Sequence, residues 1–261
     1  MRGKSVANSG SDVNFQAVER VNPAGAGGVV ILCEHASCHI PPEYDGLGLA
    51  QGDLTSHAAW DPGARGVAVA LSAALDAPLV AGAVSRLVYD CNRPPDAATA
   101  MPEQSERVTV PGNRGLPQHA RDARTDAVYR PFCAAVSDVI AAQSTPPVLI
   151  TIHSFAPVFH GAPRAVEIGI LHDDDSRLAD AMLAQVHRLP HRRIERNAPY
   201  GPDDGVTHSL RLHGAGLWNV MIEIRNDLLP DATTERAMAD EILTLLRPAL
   251  AQLAEKGGQD A

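Results

Sequence analysis

The chain has 261 residues, 45% of them hydrophobic, and a formal net charge of -9. That is enough apolar material for the core of one large α/β domain or two small ones, and it excludes a disordered chain. The mildly acidic balance, with no run of five or more like charges, argues against a nucleic-acid partner, which needs clustered Lys and Arg.

Residues 1–26 carry Arg2 and Lys4 with no apolar core behind them, so they are not a signal peptide. They read as a flexible leader of Ser, Asn and Gly ahead of a single domain over 27–256. Gly28 to Cys33 is a short continuous apolar run, the pattern of a strand buried on both faces, and it ends at Glu34-His35-Ala36-Ser37. Asp61-Pro62 then opens a helix running to Leu75, with Asp as cap and Pro at the first helical position. Leu79–Val84 and Leu87–Cys91 read as strands. In the second, Arg86, Val88 and Asp90 alternate with Leu87, Tyr89 and Cys91.

Pro94 to Arg121 is a long proline-punctuated stretch of the kind that is functional or disordered in compact domains. A helix is expected over Asp122–Gln143, and a strand over Pro147–His153 that again ends in His followed by Ser. Arg164–Leu171 reads as a strand, Asp175–Arg188 as a helix, and Arg193–Glu195 as a short strand. Asn197–Gly205 is a second loop. Leu217–Ile224 is a strong strand containing Glu223, and Thr233–Leu253 closes the chain as a helix. Strands alternating with helices predict an α/β fold on a mixed, largely parallel sheet. No segment is long and apolar enough to span a membrane. Cys33, Cys38, Cys91 and Cys133 form no C-x-x-C pair, which predicts free thiols and a cytoplasmic protein.

The chemistry is expected where strands end. Ligands of open α/β sheets sit at the carboxyl ends of the strands, and His35 and His153 both stand there. Zinc hydrolases use two His and one carboxylate and keep a position for water. The third ligand is sought among Glu34, His57 and Asp61. Asn92-Arg93 offers an amide and a planar guanidinium for a substrate carboxylate. Glu223 interrupts a buried strand, which is costly unless the carboxylate is paired or acts as an acid or base. No Gly-x-Ser-x-Gly turn accompanies Ser37 or Ser154, so a serine hydrolase is not indicated. No dinucleotide fingerprint or phosphate loop is present.

The set Glu34-His35-Ala36-Ser37, Ile40-Pro41, His57-x-x-x-Asp61, Ser85-Arg86-Leu87, Asn92-Arg93, His153-Ser154 and Glu223-Ile224-Arg225 resembles the N-formylglutamate amidohydrolase family over Val29 to Leu228. The resemblance implies a three-layer α/β/α, phosphorylase/hydrolase-like fold, distantly similar to zinc carboxypeptidases. It implies hydrolysis of N-formyl-L-glutamate to formate and glutamate, a late step of bacterial histidine breakdown, with Zn²⁺ as cofactor and a small N-acyl amino acid as partner. His35 and His153 match metal-ligand positions, with Asp61 favoured as the third. Glu223 resembles the general base. Asn92 and Arg93 resemble the α-carboxylate clamp, while Arg86, Arg164, Arg225 and Ser154 are further candidates to meet the substrate. The chain departs from the carboxypeptidase His-x-x-Glu pattern at Cys38, three residues after His35. The same resemblance leaves two rivals, a carboxypeptidase-like peptidase and a non-catalytic binding protein on an inherited hydrolase fold.

Overall fold

The structure is a computed structural model that describes residues 15–257. In chain order, β1 (Val18–Val21) and β2 (Val29–Cys33) are followed by α1 (Ala64–Leu75) and β3 (Leu79–Gly82). The proline-rich stretch holds a small ribbon, β4 (Gln104–Ser105) with β5 (Val108–Thr109). Next come α2 (Gln118–Arg124) and α3 (Arg130–Ala141), then β6 (Val148–Phe155). A second ribbon, β7 (Val158–Phe159) with β8 (Ala162–Pro163), leads to β9 (Ile168–Leu171), α4 (Arg177–Leu183) and β10 (Ile194–Arg196). The chain finishes with α5 (His208–His213), β11 (Asn219–Arg225) and α6 (Ala232–Gly257).

Seven strands make one mixed sheet in the order β1-β3-β2-β6-β11-β9-β10. The central block β3, β2, β6 and β11 is parallel. β1 and β9 run antiparallel to their neighbours β3 and β11. Every residue of β2 and β6 is buried, as continuous apolar runs require when both faces are covered. One face carries Ile31, Ile150 and Ile222 against Val67 and Leu71 of α1 and Ile242 and Leu246 of α6. The other carries Leu32, Leu149 and Met221 against Phe132 and Val136 of α3. The result is the expected three-layer α/β/α architecture. Among the described residues no helix is long and apolar enough to cross a membrane.

The local differences from the sequence reading have physical causes. β1 lies inside the stretch expected to be a leader. Its residues are only half-buried, so no apolar run announces it, and its partner β3 is sixty residues away. Residues 1–14 of that stretch lie outside the described residues. Leu87–Cys91 is not a strand. The Ser85 hydroxyl accepts the Leu87 N–H at 3.2 Å and the Ser85 carbonyl accepts the Val88 N–H at 2.9 Å, which turns the chain. Its side chains alternate because both sides of the turn are buried. The expected helix over Asp122–Gln143 is two helices joined by a π-helical turn, Thr125–Tyr129, in which the Arg130 N–H reaches back five residues to the Thr125 carbonyl. Pro131 follows directly, with no N–H to continue an ordinary ladder.

Candidate active site

The parallel block brings three functional strand ends side by side. His35 stands two residues beyond β2, and His153 lies in β6. Glu223 of β11 sits directly opposite His153 in the register. β3 closes against this edge through Gly82. A Cβ at that position would lie 2.1 Å from the Glu34 carbonyl oxygen, so a side chain there would push Glu34 and His35 off the sheet. Asp61 arrives from the start of the α1 segment, where its N–H donates to the His35 carbonyl at 2.9 Å. Asp61 is not the helix cap. Gly63 occupies that position, and the Asp61 carboxylate turns inward to accept the Ser154 N–H at 3.3 Å.

Each imidazole is held from behind by a carboxylate. His35 Nε2 lies 2.7 Å from Asp90 Oδ1, and His153 Nε2 lies 3.2 Å from Glu34 Oε2. Assigning the protons to Nε2, on the side of those carboxylates, leaves both Nδ1 lone pairs facing each other at 3.2 Å. The same two atoms lie 3.2 and 2.9 Å from Asp61 Oδ2. Three buried acceptors converging on one point require a shared cation or extra protons. Ligand atoms about 2.0–2.1 Å from a tetrahedral zinc stand about 3.3 Å apart, so the three spacings fit a small divalent metal. Backing of each histidine by a carboxylate is the usual support of such ligands. Among the described residues, His35, Asp61 and His153 form the one cluster able to hold a metal ion. Of the other two candidates, Glu34 stands behind His153, and His57 Nδ1 is 4.0 Å from Asp61 Oδ1.

The charges show what the cluster demands. Burial opposes charge on His153, but the Glu34 and Asp61 carboxylates outweigh it and hold the imidazole well above its ordinary pKa. Burial likewise opposes ionisation of Asp61 and Asp90. His35 overcomes it at both, helped by His153 at Asp61 and by Arg86 at Asp90, and both carboxyls fall well below the usual range. Glu223 differs. Burial pushes its carboxyl up to about 7, against the opposing pull of His153. Its Oε2 is buried with no hydrogen-bond partner among the described residues.

His35, Asp61, Arg86, His153 and Glu223 line a cavity of about 170 Å³. That suits a small substrate. Arg93 lines it, with Nη1 donating to the Asn92 and Gly205 carbonyls at 2.9 and 2.8 Å. The other expected substrate contacts are already engaged. Arg86 lies 3.3 Å from Asp61 Oδ1 and 2.9 Å from Asp90 Oδ2. The Asn92 amide donates to the Val206 carbonyl and accepts the Ser209 N–H, tying down the loop before α5. The Ser154 hydroxyl donates to the Pro62 carbonyl at 2.8 Å. Arg225 is absent from the lining: it pairs with Asp227 at 2.8 Å and donates to the Arg164 carbonyl at 3.2 Å. Glu106, Phe159 and Tyr200 line the cavity without having been singled out. All three come from loops or ribbons, where only the position of the stretches between strands gave a signal.

The family described as N-formylglutamate amidohydrolase matches residues 27–229. The chain belongs to the N-formylglutamate amidohydrolase family. That family is one of amidohydrolases acting on small molecules. The gene product Atu2144 of Agrobacterium tumefaciens, a crystal structure, is similar at 52% identity and a TM-score of 0.89, covering 92% of this chain and 97% of that one. The N-formylglutamate amidohydrolase of Ralstonia eutropha JMP134 is similar in fold, with a TM-score of 0.64 at 17% identity over 93% of this chain and 100% of that one. No curated protein matches the chain. Residues 27–229 of the family match include every member of the cluster, from Glu34 to Glu223.

Proposed function

We propose that the chain is a zinc-dependent amidohydrolase that converts N-formyl-L-glutamate, or a closely similar N-acyl amino acid, to formate and the free amino acid. The convergence of His35 Nδ1, His153 Nδ1 and Asp61 Oδ2, with the buried, unpartnered Oε2 of Glu223 on the adjacent strand, carries the reading. His35, Asp61 and His153 would hold the metal. A metal bound there supplies Lewis-acid polarisation of a carbonyl and a bound water with a pKa near 7.

The chain's own residues do the rest. Glu223, with its carboxyl near 7 in the protein, is matched to taking a proton from water and returning it at neutral pH. Water adds to the formyl carbon as Glu223 accepts its proton. The carbon–nitrogen bond then breaks, and the proton passes from Glu223 to the departing nitrogen. Arg93, with Nη1 fixed by two carbonyls, presents its remaining N–H groups to the α-carboxylate. Asp90 orients His35 through the Nε2 hydrogen bond, and Glu34 is the charge partner of His153. The four free cysteines suit a reducing cytosol.

The test is formate release from a panel of N-formyl amino acids, with Zn²⁺, Mn²⁺ or Co²⁺ supplied and metal content measured on the same sample. Release from N-formyl-L-glutamate but not from dipeptides supports the reading against a peptidase. A metal-loaded protein that releases no formate from any member overturns it.

A further inference from the structure

Arg86 lies on the cavity wall with its side chain 23% exposed, yet both arms of its guanidinium are occupied. Nη1 lies 3.3 Å from Asp61 Oδ1, and Nη2 lies 2.9 Å from Asp90 Oδ2. The other oxygen of each carboxylate serves the histidines. Asp90 Oδ1 meets His35 Nε2 at 2.7 Å, and Asp61 Oδ2 meets the Nδ1 atoms of His35 and His153 at 3.2 and 2.9 Å. One guanidinium thus links the carboxylate inside the cluster to the carboxylate behind His35.

The link is built into the backbone. The Arg86 N–H and the Ser85 hydroxyl both donate to the Ala59 carbonyl, at 3.2 and 2.8 Å, two residues before Asp61. The Ser85 N–H donates to the His39 carbonyl at 2.7 Å, four residues after His35. The root of Arg86 is therefore fixed against the two segments that deliver Asp61 and His35. The Ser154 N–H also falls on Asp61 Oδ2, at 3.3 Å, so the two oxygens of Asp61 are divided. Oδ2 faces the cluster and Oδ1 faces Arg86. His57 Nδ1, buried with no hydrogen-bond partner among the described residues, stands 4.0 Å from the same Oδ1.

A planar guanidinium fork can hold two carboxylates at once, which the point charge of a lysine cannot do. An aspartate left free to turn offers a metal both oxygens, and the second fills the position that a hydrolytic site keeps for water. We propose that Arg86 is a positioning residue that holds Asp61 Oδ1 away from the metal, so that Asp61 binds through Oδ2 alone and one coordination position stays open. This rests on the metal site of the proposed hydrolase, and it assigns Arg86 to ligand geometry instead of substrate contact.

The experiment loads chelator-stripped wild type, Arg86→Gln and Arg86→Lys with Co²⁺ and records the visible absorption, with neighbours of Zn²⁺ counted by X-ray absorption on parallel samples. Neither measurement needs a substrate. Coordination geometry is diagnostic here, since four-coordinate Co²⁺ absorbs visible light several-fold more strongly than a site with more ligands. The wild type should show the strong band. In Arg86→Gln the band should weaken several-fold and the count of oxygen and nitrogen neighbours should rise, with Arg86→Lys intermediate. A band and a neighbour count unchanged in Arg86→Gln overturn the proposal. A raised KM for an N-formyl substrate with the band untouched also overturns it, because that is the signature of a substrate contact. If Arg86→Gln does not fold, as thermal melting shows, Arg86→Lys decides, and a band equal to that of the wild type overturns the proposal. A wild type that takes up neither Co²⁺ nor Zn²⁺ defeats the metal reading and this proposal with it. Bound metal without formate release defeats the hydrolase reading alone, and the cobalt band still decides Arg86.

Discussion

Replacing Glu223 by Gln tests the site without disturbing its shape. Burial lifts this carboxyl from an ordinary 4.5 to about 7. A raised carboxyl means that folding favours the protonated form. The associated stability is fully present below pH 4.5 and is lost as pH rises through 7. At about 1.4 kcal/mol per pH unit, ionised Glu223 costs the metal-free protein roughly 3 kcal/mol above pH 7. Gln has no charge to bury, so metal-free Glu223→Gln should be the more stable protein at pH 8. For a domain of this size that is a rise of about 5–10 °C in melting temperature. At pH 5 the two should melt within a degree or two of each other. The same substitution removes the proton acceptor, so formate release should fall by about 10²–10⁴. The assay is calorimetric melting of chelator-treated protein at both pH values, with activity measured on the zinc-loaded form. A Glu223→Gln protein that is less stable at pH 8, or equally displaced at both pH values, would refute the assignment of burial as the cause.

Metal binding should release a proton near neutral pH, because His153 is held protonated by its carboxylate neighbours when no metal is bound. Zinc affinity should then rise with pH, and calorimetric titrations in buffers of different ionisation heat would expose a binding step without proton release. Glu34→Gln should weaken zinc binding by about 10–100-fold, read by competition with a chromogenic chelator, because Glu34 is the charge partner of His153. Asn92→Ala leaves the Ser209 N–H and the Val206 carbonyl without partners. It should cost about 1–3 kcal/mol in urea unfolding, with faster proteolysis between Asn197 and Gly205 as the local readout.

The central strands were legible because both faces are covered, so Val29–Cys33 and Val148–Phe155 are unbroken apolar runs. The two histidines were legible because each interrupts or ends such a run. What could not be read were relations across long stretches of chain. Asp61 was open between helix cap and third ligand, and only the approach of Ser154, ninety-three residues later, shows its carboxylate turned inward. For Arg86 the local pair with Asp90 was legible, but its second carboxylate, Asp61, comes from twenty-five residues upstream. Leu87–Cys91 failed for the opposite reason. An alternating pattern does not by itself show an extended backbone: all five residues 87–91 are buried, and Ser85 bends the chain.

The reversed direction of β9 has a consequence for how this site can change. Because β9 runs antiparallel to β11, Ile168 enters the sheet beside Ile224, at the same edge where β6 leaves it at Phe155. The twelve residues 156–167 therefore begin and end on the rim of the cavity without crossing a layer. They carry Phe159 and Arg164 but no member of the His35–Asp61–His153 cluster. The segment is a cassette between two fixed posts. Exchanging it for one of similar length would retune what enters the cavity while the cluster beneath stays as the strand spacing sets it.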